Sequence, residues 1–107
     1  MEINNIPKAV KSALEYIEGE TIDDKLMHLV VSDLKQSLRA CLDRIYSFES
    51  KYGMSFNEFK DAWESNLIPD KYSHPVERDY MEWESLDDEH ILILSQLRNI
   101  QEEIFQK

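Results

Sequence analysis

The sequence predicts an all-α fold, and three observations support this prediction. Its 107 residues include two Gly and three Pro, which leaves few of the turns that a many-stranded sheet needs. Long aliphatic and charged residues, which favour helix, fill most of the chain. Apolar residues recur at spacings of three and four in two long segments, as expected for helices with one buried face. A chain of this length fits one domain, 1–107, with a modest core.

The first long helix is predicted over residues 23–52. Thr21 and Asp24 form a possible capping box at its start, and Gly53 stands where a left-handed residue stops a helix. Its inward stripe recurs every three or four residues and comprises Leu26, Val30, Leu34, Leu38, Cys41, Ile45, Phe48 and Tyr52, with Leu29 and Leu42 beside it. This helix should therefore bury one side along its whole length.

Two short accessory helices are also predicted. One covers residues 7–18. The other begins after a capping box of Ser55 with Glu58 and ends around Asn66. Its buried face comprises Phe56, Phe59 and Trp63.

The second long helix is predicted over residues 77–106, after a loop at 67–76 that contains two prolines. Its inward side comprises Tyr80, Trp83, Leu86 or Asp87, His90, Leu94, Leu97, Ile100 or Gln101, and Ile104. We expect the two long helices to pack as an antiparallel hairpin. Apolar side chains left uncovered by that hairpin are Met27, Val31, Ile91, Ile93 and Phe105.

The charge balance limits the possible partners. Twelve Lys and Arg face 22 Asp and Glu, giving a net charge of −10, and thirteen of the acids lie in residues 54–107. Such a field repels phosphate backbones and anionic membranes, so neither nucleic acid nor a membrane is expected as a direct ligand. The single cysteine, Cys41, cannot form an internal disulfide, which favours a cytoplasmic location. Apolar runs such as residues 91–94 are too short to cross a bilayer.

No pattern in the sequence indicates an enzyme. Asp87 and His90 stand at i and i+3, as in helical-bundle metal sites, but the facing helix offers too few carboxylates. A symmetric dimer could double the ligands, so a dimeric bundle that binds metal or a nucleotide remains an alternative. The acidic i, i+3 pairs Glu15–Glu18 and Glu84–Asp87 are too far apart for a nucleotide pyrophosphohydrolase. We therefore predict no catalytic residue, metal or cofactor.

The remaining functional candidate is the segment ERDYMEWESLDDE at residues 77–89, in which acids surround large aromatic rings. This mixture is typical of a surface that attracts a basic protein and anchors it through apolar contacts. The predicted partner-binding residues are Glu77, Asp79, Tyr80, Glu82, Trp83, Glu84 and Asp87. The alternative is that the rings of Tyr80 and Trp83 belong to the core and the acids form their solvated back face.

Residues 51–86 resemble the shared segment of small acidic antitoxin-type proteins that are paired with TumE-family toxins. The resemblance rests on the KYGMS turn at 51–55, the three aromatic residues of the following helix, the Ile-Pro at 68–69 and the DYMEW block at 79–83. It implies an antitoxin that covers a small basic toxin acting on RNA. The small size of the chain and its uncovered apolar side chains separately predict a homodimer or hetero-oligomer. A third possibility is an acidic mimic of nucleic acid that inhibits another basic enzyme.

Overall fold

The computed structural model of the protein describes residues 6–105, with side chains up to residue 103. This part contains four α-helices and no strand: α1 Lys8–Leu14, α2 Ile22–Tyr52, α3 Phe56–Glu64 and α4 His74–Phe105. The all-α prediction is therefore confirmed. Within the described residues, no helix combines the length and the hydropathy needed to cross a membrane. The predicted positions of the Ile104 and Phe105 side chains and the predicted helix end at Gln106 lie outside this description.

The chain divides into two compact units at the Lys35–Gln36 peptide, inside α2. In the first unit, α1 ends at Leu14 and not at residue 18 as predicted. The next three residues turn through amide bonds to carbonyls three residues back, so the α-helical pattern stops. The ammonium of Lys25 donates to the carbonyls of Leu14 and Ile17 at 2.8 and 2.7 Å and satisfies them. The single-domain prediction remains a prediction.

The predicted caps of the long helix α2 are both present. At its start, the Asp24 amide donates to the Thr21 hydroxyl at 3.0 Å. At its end, Gly53 has a φ of 69°, the left-handed conformation that a helix stop requires. The predicted capping box of α3 is also complete, because the Ser55 and Glu58 side chains each accept from the other residue's amide. Local sequence therefore sets these three boundaries.

In the second unit, α2 and α4 pack against each other in antiparallel directions. The Cys41 thiol donates to the Leu86 carbonyl at 3.2 Å, and farther along α2 the Tyr52 hydroxyl donates to Asp79 at 2.6 Å. Residues later in α2 thus contact residues earlier in α4, as in an antiparallel pair. The predicted hairpin of long helices is confirmed by this arrangement.

The core of the second unit lies between α2, α3 and the first half of α4. Its buried members are Cys41, Ile45, Phe48, Phe56, Phe59, Ile68 and Trp83. Phe59 and Trp83 have no exposed surface at all. Because α3 lies beside both long helices, its aromatic residues close the core where the chain turns.

Helix α4 begins earlier than predicted, at His74 and not at Glu77. The Ser73 carbonyl accepts the first helical hydrogen bond, from the Glu77 amide at 3.0 Å. Pro75 therefore lies in the first turn, where a residue without an amide proton breaks no helical bond. The prediction that Pro75 belongs to a loop is therefore wrong, because a proline in the first turn is compatible with a helix start.

The predicted inward stripe is wrong in the second half of α4. Ile93, predicted to be uncovered, is 8% exposed, whereas Leu94, predicted to face inward, is 41% exposed. Leu97 and Ile100 are half-buried, so the inward side follows the spacing Ile93, Leu97, Ile100. On α2, the predicted inward residue Val30 is 48% exposed. A one-residue choice between spacings of three and four is enough to move the stripe to a neighbouring side of the helix.

Candidate protein-binding site on helix α4

All seven residues predicted to bind a partner lie in the first half of α4, but the helix directs them to different sides. Trp83 is buried; the half-buried residues are Glu77, Asp79, Tyr80 and Asp87; the exposed ones are Glu82 and Glu84. Since successive residues of a helix are separated by about 100°, a segment of eleven residues cannot present all its side chains to one partner. The predicted site is therefore divided between the core, the α2–α4 contact and the outer surface.

Trp83 belongs to the core. Its ring is 0% exposed and lies 5.0 Å from Phe59, 5.5 Å from Phe48 and 5.6 Å from Phe56, measured between ring centroids. Its indole Nε1 is buried and has no hydrogen-bond partner among the described residues. A ring without exposed surface cannot contact a partner in this conformation. For Trp83 the structure thus agrees with the alternative, in which the ring is part of the core.

Tyr80 lies at the edge of the same aromatic cluster. Its ring is 4.6 Å from that of Trp63 and 5.9 Å from those of Phe56 and Phe59. Burial raises the pKa of the Tyr80 hydroxyl, and the negative charge of Glu84 raises it further. Tyr80 therefore contributes to the packing of the core, and the part of its side chain that remains accessible is neutral at physiological pH.

Asp79 binds α2 instead of facing outward. Its Oδ2 accepts hydrogen bonds from the Lys51 ammonium at 2.5 Å and the Tyr52 hydroxyl at 2.6 Å. Burial alone would raise the pKa of Asp79, but these two hydrogen bonds and the charge of Lys51 outweigh it and hold the pKa below its usual value. Burial and the bond to Asp79 also raise the pKa of Tyr52. Asp79 is thus a charged link between α2 and α4.

Glu82 forms the second polar contact between the long helices. Its Oε2 accepts from Nε of Arg44 at 2.9 Å and also from Nη2 of the same guanidinium. The guanidinium lies 5.0 Å from the centre of the Phe48 ring. Both charged groups are about half exposed, so solvent screens the pair and its contribution to stability is small. The charge of Glu82 is nevertheless compensated within the chain.

The geometry of Asp87 and His90 does not complete a metal site. Oδ1 of Asp87 and Nδ1 of His90 are 3.8 Å apart, which is too long for a hydrogen bond. Nδ1 of His90 is buried without a hydrogen-bond partner in residues 6–103. Within that same part of the chain, no group of three or more His, Cys, Asp and Glu side chains is placed to hold a metal ion. The metal-binding alternative therefore has no ligand set in a single described chain.

Cys41 has the environment of a structural thiol. It is 4% exposed, donates to the Leu86 carbonyl and lines a cavity of about 290 Å³. Burial raises the pKa of the thiol, and the charge of Glu89 raises it further. Since the thiolate is the nucleophilic form, this environment makes the sulfur unreactive at neutral pH.

One side of α4 that faces solvent has a row of three acids around a methionine, which we name the outer strip: Glu77, Met81, Glu84 and Asp88. Their spacing of four, three and four residues places them on one side of the helix. Met81 is 70% exposed, with Glu77 one turn before it and Glu84 one turn after it. Glu84 and Asp88 are exposed, and Glu77 is half-buried. None of the three carboxylates is in an ion pair with another described residue.

The outer strip contains two predicted residues, Glu77 and Glu84, and two that the prediction omitted, Met81 and Asp88. The signal for the omitted pair is their spacing, because Met81 and Asp88 complete the row on the side of the helix opposite to the buried stripe. The large rings of Tyr80 and Trp83 favour the inward side of the helix instead. No protein-family model, curated protein or solved structure matches this chain.

Proposed function

We propose that the chain is an antitoxin-like binding protein that neutralises a small basic toxin, through the outer strip of α4. The observation that supports this most directly is that Met81, Glu84 and Asp88 stand exposed on one side of α4 with the half-buried Glu77 in line with them, while none of the three carboxylates has an ion-pair partner among the described residues. The resemblance of residues 51–86 to antitoxin-type partners of TumE-family toxins suggests the class of partner.

The electrostatics of the strip favour a cationic protein partner. The chain has a net charge of −10, and two of the acids on the first half of α4, Asp79 and Glu82, already bind cations of α2. Of the remaining acids, Glu77, Glu84 and Asp88 share one side of the helix and have no ion-pair partner among the described residues, over about 16 Å of helix. A basic cleft that holds the phosphates of RNA would attract the same row of negative charges. Occupying that cleft would block the substrate without any chemistry by this chain.

Met81 gives the strip an apolar centre. Its flexible thioether side chain adapts to irregular apolar surfaces, and its position among acids places apolar and charged contacts within one turn of each other. This arrangement is the one that gives a contact both a fast, charge-steered approach and a slow release. Met81 thus replaces Trp83 as the proposed anchor, with the accessible edge of Tyr80 beside it.

The proposed assembly is a hetero-oligomer in the cytoplasm, where a toxin that acts on RNA meets its substrate. Neither catalysis nor direct nucleic-acid binding by this chain is required. The dimeric metal-binding alternative and the nucleic-acid mimic directed at another basic enzyme have no separate observation in their favour. A toxic, basic neighbour in the genome distinguishes the antitoxin from the mimic.

Co-expression with the product of the neighbouring reading frame tests the proposal. We expect the neighbour to arrest growth alone and this chain to restore growth. Glu84→Lys should weaken the rescue, and should weaken the affinity of the purified pair by about tenfold at low salt and by less at high salt.

Glu89→Lys is the matched control, because Glu89 is also an exposed glutamate of α4 but projects from another side of the helix. It makes the same change in net charge and should leave rescue and affinity intact. Circular dichroism should report unchanged helical content for both variants. Equal effects of the two substitutions, or a neighbour that is neither toxic nor bound, would overturn the proposal.

A further inference from the structure

Beyond the outer strip, α4 continues into a segment that is apolar on every side. Residues 91–94 are Ile, Leu, Ile and Leu, of which Ile93 alone is buried. Ile91 is 55% exposed and Leu92 is 65% exposed. A helical turn that is apolar all round is normally covered on more than one side. The exposed side of this turn therefore has the composition of a contact surface.

The charged and apolar surfaces of α4 share one line along the helix. Glu77, Met81, Glu84, Asp88, Ile91 and Ser95 follow each other at spacings of four, three, four, three and four residues. Leu92 lies next to this line. Alternation of three and four is the spacing at which one helix meets another along its length. The line extends for about 27 Å, or five turns.

The charge along this line selects the occupant. Its first four positions contain three acids, and its continuation at Ile91 and Leu92 is apolar. A second copy of the chain would bring another net charge of −10 and another row of carboxylates to the same surface, so self-pairing along this line is opposed by repulsion. A helix with cations over two to three turns and apolar side chains over the next two would match both parts.

We infer that the partner element that binds α4 is a basic amphipathic α-helix lying along the line from Glu77 to Ser95. Its cations contact Glu77, Glu84 and Asp88 while their aliphatic stems cover Met81, and its apolar side chains cover Ile91 and Leu92. This inference rests on the proposed function and adds the form of the partner. The two parts of the line also fix which end of the partner helix lies at which end of α4.

Synthetic peptides of 22 residues provide the probe. One peptide is helical, with Lys at three successive contact positions and Leu at the next two. A second has the same composition with the Lys and Leu positions scattered around the helix, and a third is the first peptide with a central proline. Fluorescence anisotropy with the intact chain measures binding. We expect the first peptide to bind at least about tenfold more tightly than the other two.

Variants of the chain separate the two parts of the surface. Leu92→Ser should weaken the binding of the first peptide by about tenfold, with no change in the salt dependence of binding, since it removes an apolar contact. Leu67→Ser is the matched control, because Leu67 is 73% exposed in the loop after α3. It should leave the affinity unchanged.

The outcomes distinguish this inference from the proposed function. Suppose that the neighbouring protein binds and that Glu84→Lys weakens this binding. If Leu92→Ser then has no effect on binding, or the proline peptide binds as tightly as the first peptide, the helical partner is refuted and the acidic site stands. If the neighbouring protein binds and Glu84→Lys has no effect either, the proposed function fails as well. A chain that sediments as a dimer and dissociates on Leu92→Ser would assign the apolar turn to a second copy and refute the inference.

Discussion

Replacing Trp83 with alanine should destabilise the protein strongly, because this ring is the centre of the core of the second unit. It is 0% exposed, and three aromatic rings lie within 5.6 Å of its centroid. Deletions of a buried Phe or Trp side chain to Ala typically cost about 3–5 kcal/mol, and a site walled by large rigid rings collapses poorly. We therefore expect a loss near the upper end of that range.

Such a loss is a large share of the about 5–15 kcal/mol by which small domains are stable. Urea unfolding followed by circular dichroism measures it, with the midpoint and slope fitted for each variant. Trp83→Phe should cost less, on the order of 1–2 kcal/mol, because the indole Nε1 has no partner in the described structure and no hydrogen bond is lost. Met81→Ala, on the exposed side of the same helix, should stay within about 0.5 kcal/mol of the parent.

A Trp83→Ala protein within about 1 kcal/mol of the parent would refute this placement of the ring. It would mean that the side chain is not enclosed by Phe48, Phe56 and Phe59 in solution. The partner-binding role predicted for Trp83 from the sequence would then regain its basis. An alanine variant of Met81 that unfolds as easily as that of Trp83 would contradict the assignment of the two faces in the same way.

Two further predictions concern the contact of Asp79 with α2 and the N-terminal cap of α3. Asp79→Asn should destabilise the protein at neutral pH and progressively less in acid. The reason is that the pKa of Asp79 is lower in the folded protein than in the unfolded chain, where it is about 3.9. The carboxylate therefore contributes to stability above that unfolded pKa, and this contribution is lost as the pH falls through the folded-state pKa. Unfolding curves of parent and variant between pH 7 and pH 2 should therefore converge, and a constant difference would contradict the link to Lys51 and Tyr52. Ser55→Ala should cost about 1 kcal/mol by removing the cap of α3, measured in the same unfolding assay; a Ser55→Thr variant that keeps the hydroxyl should lose much less.

The elements that local sequence determines were predictable. The stops and caps at Thr21, Gly53 and Ser55 depend on hydrogen bonds and dihedral angles within a few residues, and the structure has each of them. The start of α4 was missed because a proline is compatible with both a loop and a first turn. Only the hydrogen bond from the Glu77 amide to the Ser73 carbonyl distinguishes the two.

The division of α4 into faces was less predictable, because it depends on contacts between distant parts of the chain. Nothing within a few residues of Glu82 or Asp79 reveals that Arg44 and Lys51 compensate them. Nor does the sequence near Trp83 determine whether its ring or Met81 faces outward, since acids flank both. The angular positions follow from the helix, but the buried side follows from the aromatic residues of α3, which are separated from α4 by a loop.

Substitutions on the buried face and on the outer strip of α4 should affect a binding experiment in different ways. A Trp83 variant would lose partner binding by lowering the fraction of folded protein, so its apparent affinity would fall in proportion to that fraction and would recover under stabilising conditions. A Glu84 variant would remain folded and would lose affinity through a charge that salt screens. Loss of affinity at constant helical content therefore separates a residue that binds the partner from one that supports the helix. On this criterion Glu84 and Met81, rather than Trp83, should define the site, and only the loss at Glu84 should depend on salt.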